Sequence, residues 1–194
     1  ALLAAATAEY AACTGKSAGL PDKECKAWQD FYDALDGPNW VAFGSPSSAF
    51  PQQGRTDPCS VKSKIGNPCS GNPATSGSNF TRGLTKVMPG GAGLPPWQEP
   101  DAGVCCSTPK GTTQLHITQL AFGLNGLKGA IPDSVNDLEE LDNLSACGCN
   151  ITTLPQDMTN TKVGFLRLHV NSVTGTMPAS YSKMTNLEYI SLSD

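Results

Sequence analysis

An α/β solenoid is the fold class this sequence predicts: a stack of short parallel strands, capped at its N-terminal end by one helix and a disulfide-stapled irregular segment. Three observations point there. Apolar residues recur at spacings of 24, 22 and 24 residues in the last third of the chain, at Leu120, Leu144, Leu166 and Ile190. One amphipathic helix pattern stands near the start, and eight cysteines are spread over 194 residues. Charged residues make up 15% of the chain against roughly 25% in an average globular protein, while Gly and Pro number 20 and 15. That mixture disfavours helical bundles and coiled coils, and 39% hydrophobic content is enough for a core.

The repeat pattern is explicit. Ile117, Leu120, Phe122, Asn125, Leu127, Gly129 and Ile131-Pro132 align position for position with Val163, Leu166, Leu168, Asn171, Val173, Gly175 and Met177-Pro178. Both follow L-x-x-L-x-L-x-x-N-x-L-x-G-x-I-P. Between them Leu141, Leu144, Ala146, Cys149 and Ile151 lead to Leu154-Pro155, and a further unit begins at Leu187, Ile190 and Leu192. A period of 20–29 residues with this spacing is the leucine-rich repeat. Leu120 and Phe122 alternate with Gln119, Ala121 and Gly123, as a strand with one buried face requires. Asn125, Cys149 and Asn171 take the turn position, where an inward side chain satisfies backbone groups of neighbouring coils. Cysteine serves there because it is small and tolerates burial. Gly129 and Gly175 allow the next bend. No coil buries its own apolar face, so stacking supplies the core and an end needs a cap.

The cap reads as residues 9–116, with repeats over 117–194, about 3.5 units. Its helix lies between Pro21 and Asn39 and centres on residues 22–36, with Asp22 as N-cap and Glu24 in the first turn. Cys25, Trp28, Tyr32 and Leu35 form one face, and Gly37-Pro38 supplies the stop. Residues 41–96 lack an apolar period and carry Arg55, Lys62, Lys64, Arg82 and Lys86 against Asp57 alone, a local charge of +4 in a chain of −4. A loop of that length is functional or stapled, and Cys59 and Cys69 are its expected staples. It reads either as a solvated irregular insertion or as a basic docking surface for an acidic partner. The chain breaks off inside its last unit at Asp194, which leads us to expect further repeats.

The cysteines are Cys13, Cys25, Cys59, Cys69, Cys105, Cys106, Cys147 and Cys149. No C-x-x-C pair occurs and only His116 and His169 accompany them, so disulfides in an oxidising compartment outrank a metal site. No metal or cofactor is expected. Residues 1–8 read either as the end of a cleaved leader, with Ala6-x-Ala8 at its close, or as a short apolar helix. No run approaches the roughly 20 apolar residues of a membrane span. Asn79, Asn143 and Asn150 each begin an Asn-x-Ser/Thr sequon. Net charge of −4 and a pI near 5.1 argue against a nucleic-acid partner.

The combination resembles plant-type leucine-rich repeat proteins, whose repeats share the L-x-G-x-I-P ending and whose N-terminal cap carries cysteines. Phe31-Tyr32-Asp33-Ala34-Leu35-Asp36-Gly37-Pro38-Asn39-Trp40, Asp57-Pro58-Cys59 and Gly103-Val104-Cys105-Cys106 carry the likeness. The D-G-P-N-W string is especially similar to secreted repeat proteins of algae and related protists. The likeness covers residues 22–40 and about 97–194, not the insertion. It implies a cap disulfide between Cys59 and Cys105 or Cys106. Two features depart from the pattern. The second repeat is short and has Thr153 where glycine is usual, and Cys147 is an extra cysteine on the exposed strand face. A covalent tie from Cys147 to Cys105 or Cys106 of the cap is therefore conceivable.

Enzyme templates are missing: there is no G-x-S-x-G elbow, Walker loop or H-E-x-x-H, and His116 and His169 fall about two repeats apart. The expected function is non-enzymatic recognition of a protein or glycan, secreted or at the cell surface. On a repeat stack the outward strand residues make a continuous ribbon, here Gln119, Asn143, Ser145, Phe165, Arg167, His169, Tyr189 and Ser191. Aromatics and Arg most often dominate binding energy. Two other readings stand: a structural subunit of a larger assembly, at the cell surface or in an algal thylakoid lumen, and an inhibitor of hydrolases, which the family likeness alone suggests.

Overall fold

The structure is a computed structural model and describes residues 10–42, 45–49, 52–61 and 103–192. A 3-10 turn at Gly15–Ser17 precedes α1 (Asp22–Ala34), and another at Gly37–Asn39 follows it. Next come β1 (Val41–Ala42), β2 (Ser45–Ala49) and 3-10 turns at Gln52–Arg55 and Pro58–Ser60. Then follow β3 (Gly103–Ser107), β4 (His116–Ala121), β5 (Lys128–Ala130) and a 3-10 turn at Asp133–Asp137. β6 (Asn143–Ser145), β7 (Asn150–Thr153), β8 (Phe165–Arg167), a 3-10 turn at Ala179–Lys183 and β9 (Tyr189–Ser191) complete the order.

β4, β6, β8 and β9 are parallel neighbours, and their register sets Leu120 beside Leu144, Leu144 beside Leu166, and Leu166 beside Ile190. The first three are fully buried. The sheet as a whole is mixed, because β3 joins the other edge of β4 antiparallel. This corrects the expectation of parallel strands alone. An antiparallel neighbour needs only a short connection, here residues 108–115, whereas a parallel one needs a long crossover. By covering that edge, β3 removes a row of unpaired backbone groups. α1 is the only α-helix among the described residues. The coils return through 3-10 turns and a second small parallel sheet of β5 and β7, since 22–24 residues leave little room for a longer helix.

α1 begins one residue earlier than its sequence suggests. Pro21 is the N-cap and Asp22 the first helical residue, with no side-chain cap bond. Asp22 and Glu24 still place acidic groups in the first turn, where the helix dipole favours them. The helix ends at Ala34, ahead of the expected limit, because Asp36 turns into the left-handed region at φ 65°. Gly37 is required there: a Cβ would stand 2.5 Å from the Tyr32 ring.

The buried face of α1 meets the first coil through aromatic rings. Trp28, Phe31, Tyr32 and Trp40 pack together, and Phe122 of the first repeat joins them, with ring centroids 4.8 Å from Trp40 and 6.1 Å from Trp28. Trp28 Nε1 donates to the Gly54 carbonyl at 2.8 Å, and Trp40 Nε1 to that of Leu35 at 2.7 Å. Both indole donors are thereby satisfied inside the core. Gly129 shows why a repeat glycine matters to the cap. Its φ is 125°, and a Cβ would come within 2.5 Å of the Ala34 carbonyl oxygen at the end of α1.

A polar latch fixes the same interface. The Glu24 carboxylate is fully buried. It accepts the Ile117 backbone N–H at 2.9 Å and His116 Nδ1 at 2.5 Å, joining α1 to the start of β4. Burial raises its pKa against the opposing pull of His116 and the Ile117 amide. Glu24→Gln keeps an acceptor for the amide but loses the charge-assisted bond to His116. We expect it to lower the unfolding free energy by about 2 kcal/mol, read from the urea midpoint at an unchanged slope.

The turn ladder is built as the repeat pattern requires. Asn171 Nδ2 donates to the carbonyls of Ala146 and Leu168 at 2.8 and 2.9 Å, while its Oδ1 accepts the Ile151 N–H at 2.9 Å. Asn125 Nδ2 reaches the Val41 carbonyl at 3.1 Å, and Cys149 Sγ reaches that of Phe122 at 3.3 Å. Each inward side chain thus reaches back to the preceding unit, Asn125 to the cap and Cys149 and Asn171 to the coil before their own.

Cys13 is bonded to Cys25, and Cys59 to Cys106. Cys105 is also disulfide-bonded, and Cys69 lies outside the described residues. Cys147 and Cys149 are thiols, which corrects their inclusion among half-cystines and removes the conceived tie from Cys147 to the cap. Register explains the outcome. Cys105 is level with Gln119, and Gln119 with Asn143, so Cys147 sits four residues, about 13 Å, further along the rung. Cys147 is also buried rather than exposed.

Candidate functional site

Successive rungs align the ribbon residues in rows across the sheet. One row runs Gln119, Asn143, Phe165, Tyr189, and the next runs Ala121, Ser145, Arg167, Ser191. The expectation of an open ribbon needs correction over most of its length. Gln119, Asn143, Ser145 and Arg167 are all buried, Asn143 and Arg167 to 3% and 4% exposure. In-register pairing helps to explain this. Strands lie about 4.8 Å apart, so short Asn143 stands between Gln119 and Phe165, and short Ser145 between Ala121 and Arg167.

The exposed part of the face is at β8 and β9. Tyr189 is 47% exposed, whereas Phe165, His169 and Ser191 are half-buried. The Arg167 guanidinium lies 5.4 Å from the Phe165 ring centre and 5.9 Å from that of Tyr189. Two rings on neighbouring rungs therefore flank one cation at cation–π range. Burial, then the nearby Arg167 charge, holds His169 below the ordinary imidazole range. The cluster offers a partner the open Tyr189 ring and the half-buried Phe165 and His169 rings, with the Arg167 guanidinium enclosed beside the two aromatics.

Asp142 was not anticipated by the sequence reading. It precedes β6, and its backbone N–H donates to the Thr118 carbonyl at 2.8 Å while its own carbonyl accepts Gly164 N–H at 2.9 Å. Burial pushes the carboxyl up to about 6, with its own backbone amide and the Gln119 side chain pulling the other way. The available signal was its place immediately before a strand whose neighbours are packed on both sides. Nothing in residue type alone marks it.

The expected basic loop is only partly within view. Arg55 is not available as a docking charge: Nε and Nη2 grip the Asp33 carboxylate at 2.8 and 2.6 Å, and Nη1 donates to Gln29 Oε1 at 3.2 Å. Its planar fork joins the Gln52–Arg55 turn to α1, the bidentate geometry that suits Arg. Lys62, Lys64, Arg82 and Lys86 lie outside the described residues, as does Asn79. Asn143 is enclosed and Asn150 is exposed. Among the described residues no group of His, Cys, Asp and Glu could hold a metal ion, and no helix is long and apolar enough to cross a membrane.

No family model and no curated protein matches the chain. Two solved structures are similar to it. One is the leucine-rich repeat ectodomain of the receptor kinase SOBIR1 from Arabidopsis thaliana, at TM-score 0.53 and 19% identity, covering 90% of this chain and 67% of that one. The other comes from the BIR3–SERK2 complex of Arabidopsis thaliana, at TM-score 0.40 and 17% identity, covering 89% and 81%. The first likeness is one of fold alone, and it points to a repeat fold.

Proposed function

We propose that this chain is a non-enzymatic recognition module of a leucine-rich solenoid, working outside the cytoplasm and binding a protein or glycan through its strand face. The observation that carries this reading is the Phe165–Arg167–Tyr189 cluster, where two rings flank a guanidinium and one ring is half open to solvent. Rigid aromatics and Arg supply large contact area at little entropic cost, which is why they anchor interfaces. The cap disulfides, Cys13–Cys25 and Cys59–Cys106 among them, support an oxidising compartment, secreted or at the cell surface. The D-G-P-N-W string of the cap supports a place among the secreted repeat proteins of algae and protists.

The test is a comparative screen of the disulfide-intact chain against a glycan array and an arrayed set of secreted ectodomains. Tyr189→Ala is the diagnostic variant, because an exposed ring can be removed without opening the core. Ligands retained by the wild type should lose at least tenfold in affinity with Tyr189→Ala, and more with Arg167→Ala added. Affinity within twofold for the double variant would show that the strand face is not the contact surface.

A further inference from the structure

Two sequons fall among the described residues, and the fold treats them oppositely. Asn143-Leu144-Ser145 forms β6, in the middle of the main sheet. Its asparagine is 3% exposed, both side-chain amide atoms are enclosed, and Leu144 and Ser145 are fully buried. Asn150-Ile151-Thr152 lies in β7, past the turn and in the second sheet. There the burial alternates: Ile151 points into the core, while Asn150, Thr152 and Thr153 are exposed. The backbone of that strand is committed, with Asn150 N–H donated to the Leu127 carbonyl at 2.9 Å and Ile151 N–H to Asn171 Oδ1 at 2.9 Å. The sequon's two recognition side chains, the amide and the hydroxyl two residues on, therefore both end up facing outward from a fixed strand once the chain has folded.

We propose that Asn150 is an N-glycosylation site and that Asn143 is excluded by burial. In the reaction, Asn150 Nδ2 attacks the anomeric carbon of a lipid-diphosphate-linked oligosaccharide. The new C–N bond forms as the C1–O bond to diphosphate breaks, the lipid diphosphate leaves, and the amide loses one proton. Attachment precedes folding, so the fold selects what it can keep. A sugar on Asn150 stands clear of the packed coil, whereas one on Asn143 would have to occupy the space between Gln119 and Phe165. The adjoining exposed residues include Lys128 on β5 and Thr174 and Thr176 in the next coil, polar neighbours for a glycan. A glycan there also blocks approach to the β5–β7 side and leaves the β8–β9 strand face open.

The full chain, secreted from a eukaryotic host behind an added signal peptide, tests this. Peptide mapping after amidase removal of glycans in heavy-oxygen water marks each occupied asparagine as aspartate. We expect Asn150 occupied in at least half of the molecules and Asn143 unmarked. Asn150→Gln and Thr152→Ala, both on exposed side chains, should each abolish the mark at 150 and leave secretion within twofold. An unmarked Asn150 in secreted protein overturns the assignment. So does a marked Asn143 in disulfide-bonded, soluble chain. If secretion fails, the same mapping on intracellular microsomal protein reads Asn150 by the same criterion.

Discussion

Trp28→Ala will cost about 4 kcal/mol of unfolding free energy, the largest single loss we expect from a side-chain truncation in this molecule. Trp28 is fully buried on α1 and contacts Phe31, Tyr32, Trp40 and Phe122. Truncation leaves a cavity bounded by four rings, and stiff aromatic walls collapse poorly into such a space. The Gly54 carbonyl also loses its indole donor. Trp28→Phe separates the two effects, since it refills most of the volume and removes only the N–H; we expect a loss of about 1.5 kcal/mol. Both are read by urea unfolding of the disulfide-intact chain at matched slopes. The physical stake is the coupling of cap to repeats. Phe122 belongs to the first coil, so a cap that merely rested on the stack would melt separately and Trp28→Ala would leave the repeat transition unmoved. A loss below about 1.5 kcal/mol for Trp28→Ala would refute a shared core.

The features legible in the sequence are those set by periodicity. Leu120, Leu144 and Leu166 had to occupy neighbouring rungs because a buried strand face repeats every two residues and the coil every 22–24, and the register places them so. Asn125 and Asn171 at the turns follow from the same constraint. What periodicity cannot reach is the state of polar residues on the other strand face. It assigns Gln119, Asn143 and Arg167 to the outside, yet their burial is decided by the height of neighbouring side chains and by whatever else packs there. The antiparallel β3 was equally hidden, since a lone strand outside the repeats carries no period. Glu24 illustrates a third case. An acidic residue in a first turn reads as a dipole partner, and only the juxtaposition of α1 with β4 reveals a carboxylate holding the Ile117 amide and His116. Arg55, likewise, counted as a loop charge until α1 supplied Asp33.

Asp142→Asn will stabilise the chain at neutral pH, and the gain will vanish in acid. The Asp142 carboxyl is raised from 3.8 to about 6 by burial, so the folded state holds a proton more tightly than the unfolded chain does. A group shifted upward in this way contributes stability that is complete below its unfolded value and is lost as pH climbs through its folded one. The window for Asp142 is therefore pH 3.8 to about 6. Across it, the wild type should lose roughly 3 kcal/mol relative to a variant that does not ionise. Asparagine keeps an acceptor for the Gln119 side chain and has no charge to desolvate. The difference between variant and wild type is the quantity to follow. Asp30, Glu139 and Asp157 are shifted downward and drive overall stability the other way, but they cancel in the subtraction. Urea titrations at half-unit steps from pH 3.5 to 7.5 should show that difference rising with pH and levelling above about 6.5. A flat difference, within 0.5 kcal/mol throughout, would mean that solvent reaches the carboxylate. The packing of β6 between β4 and β8 would then be looser at its N-terminal end than the register implies.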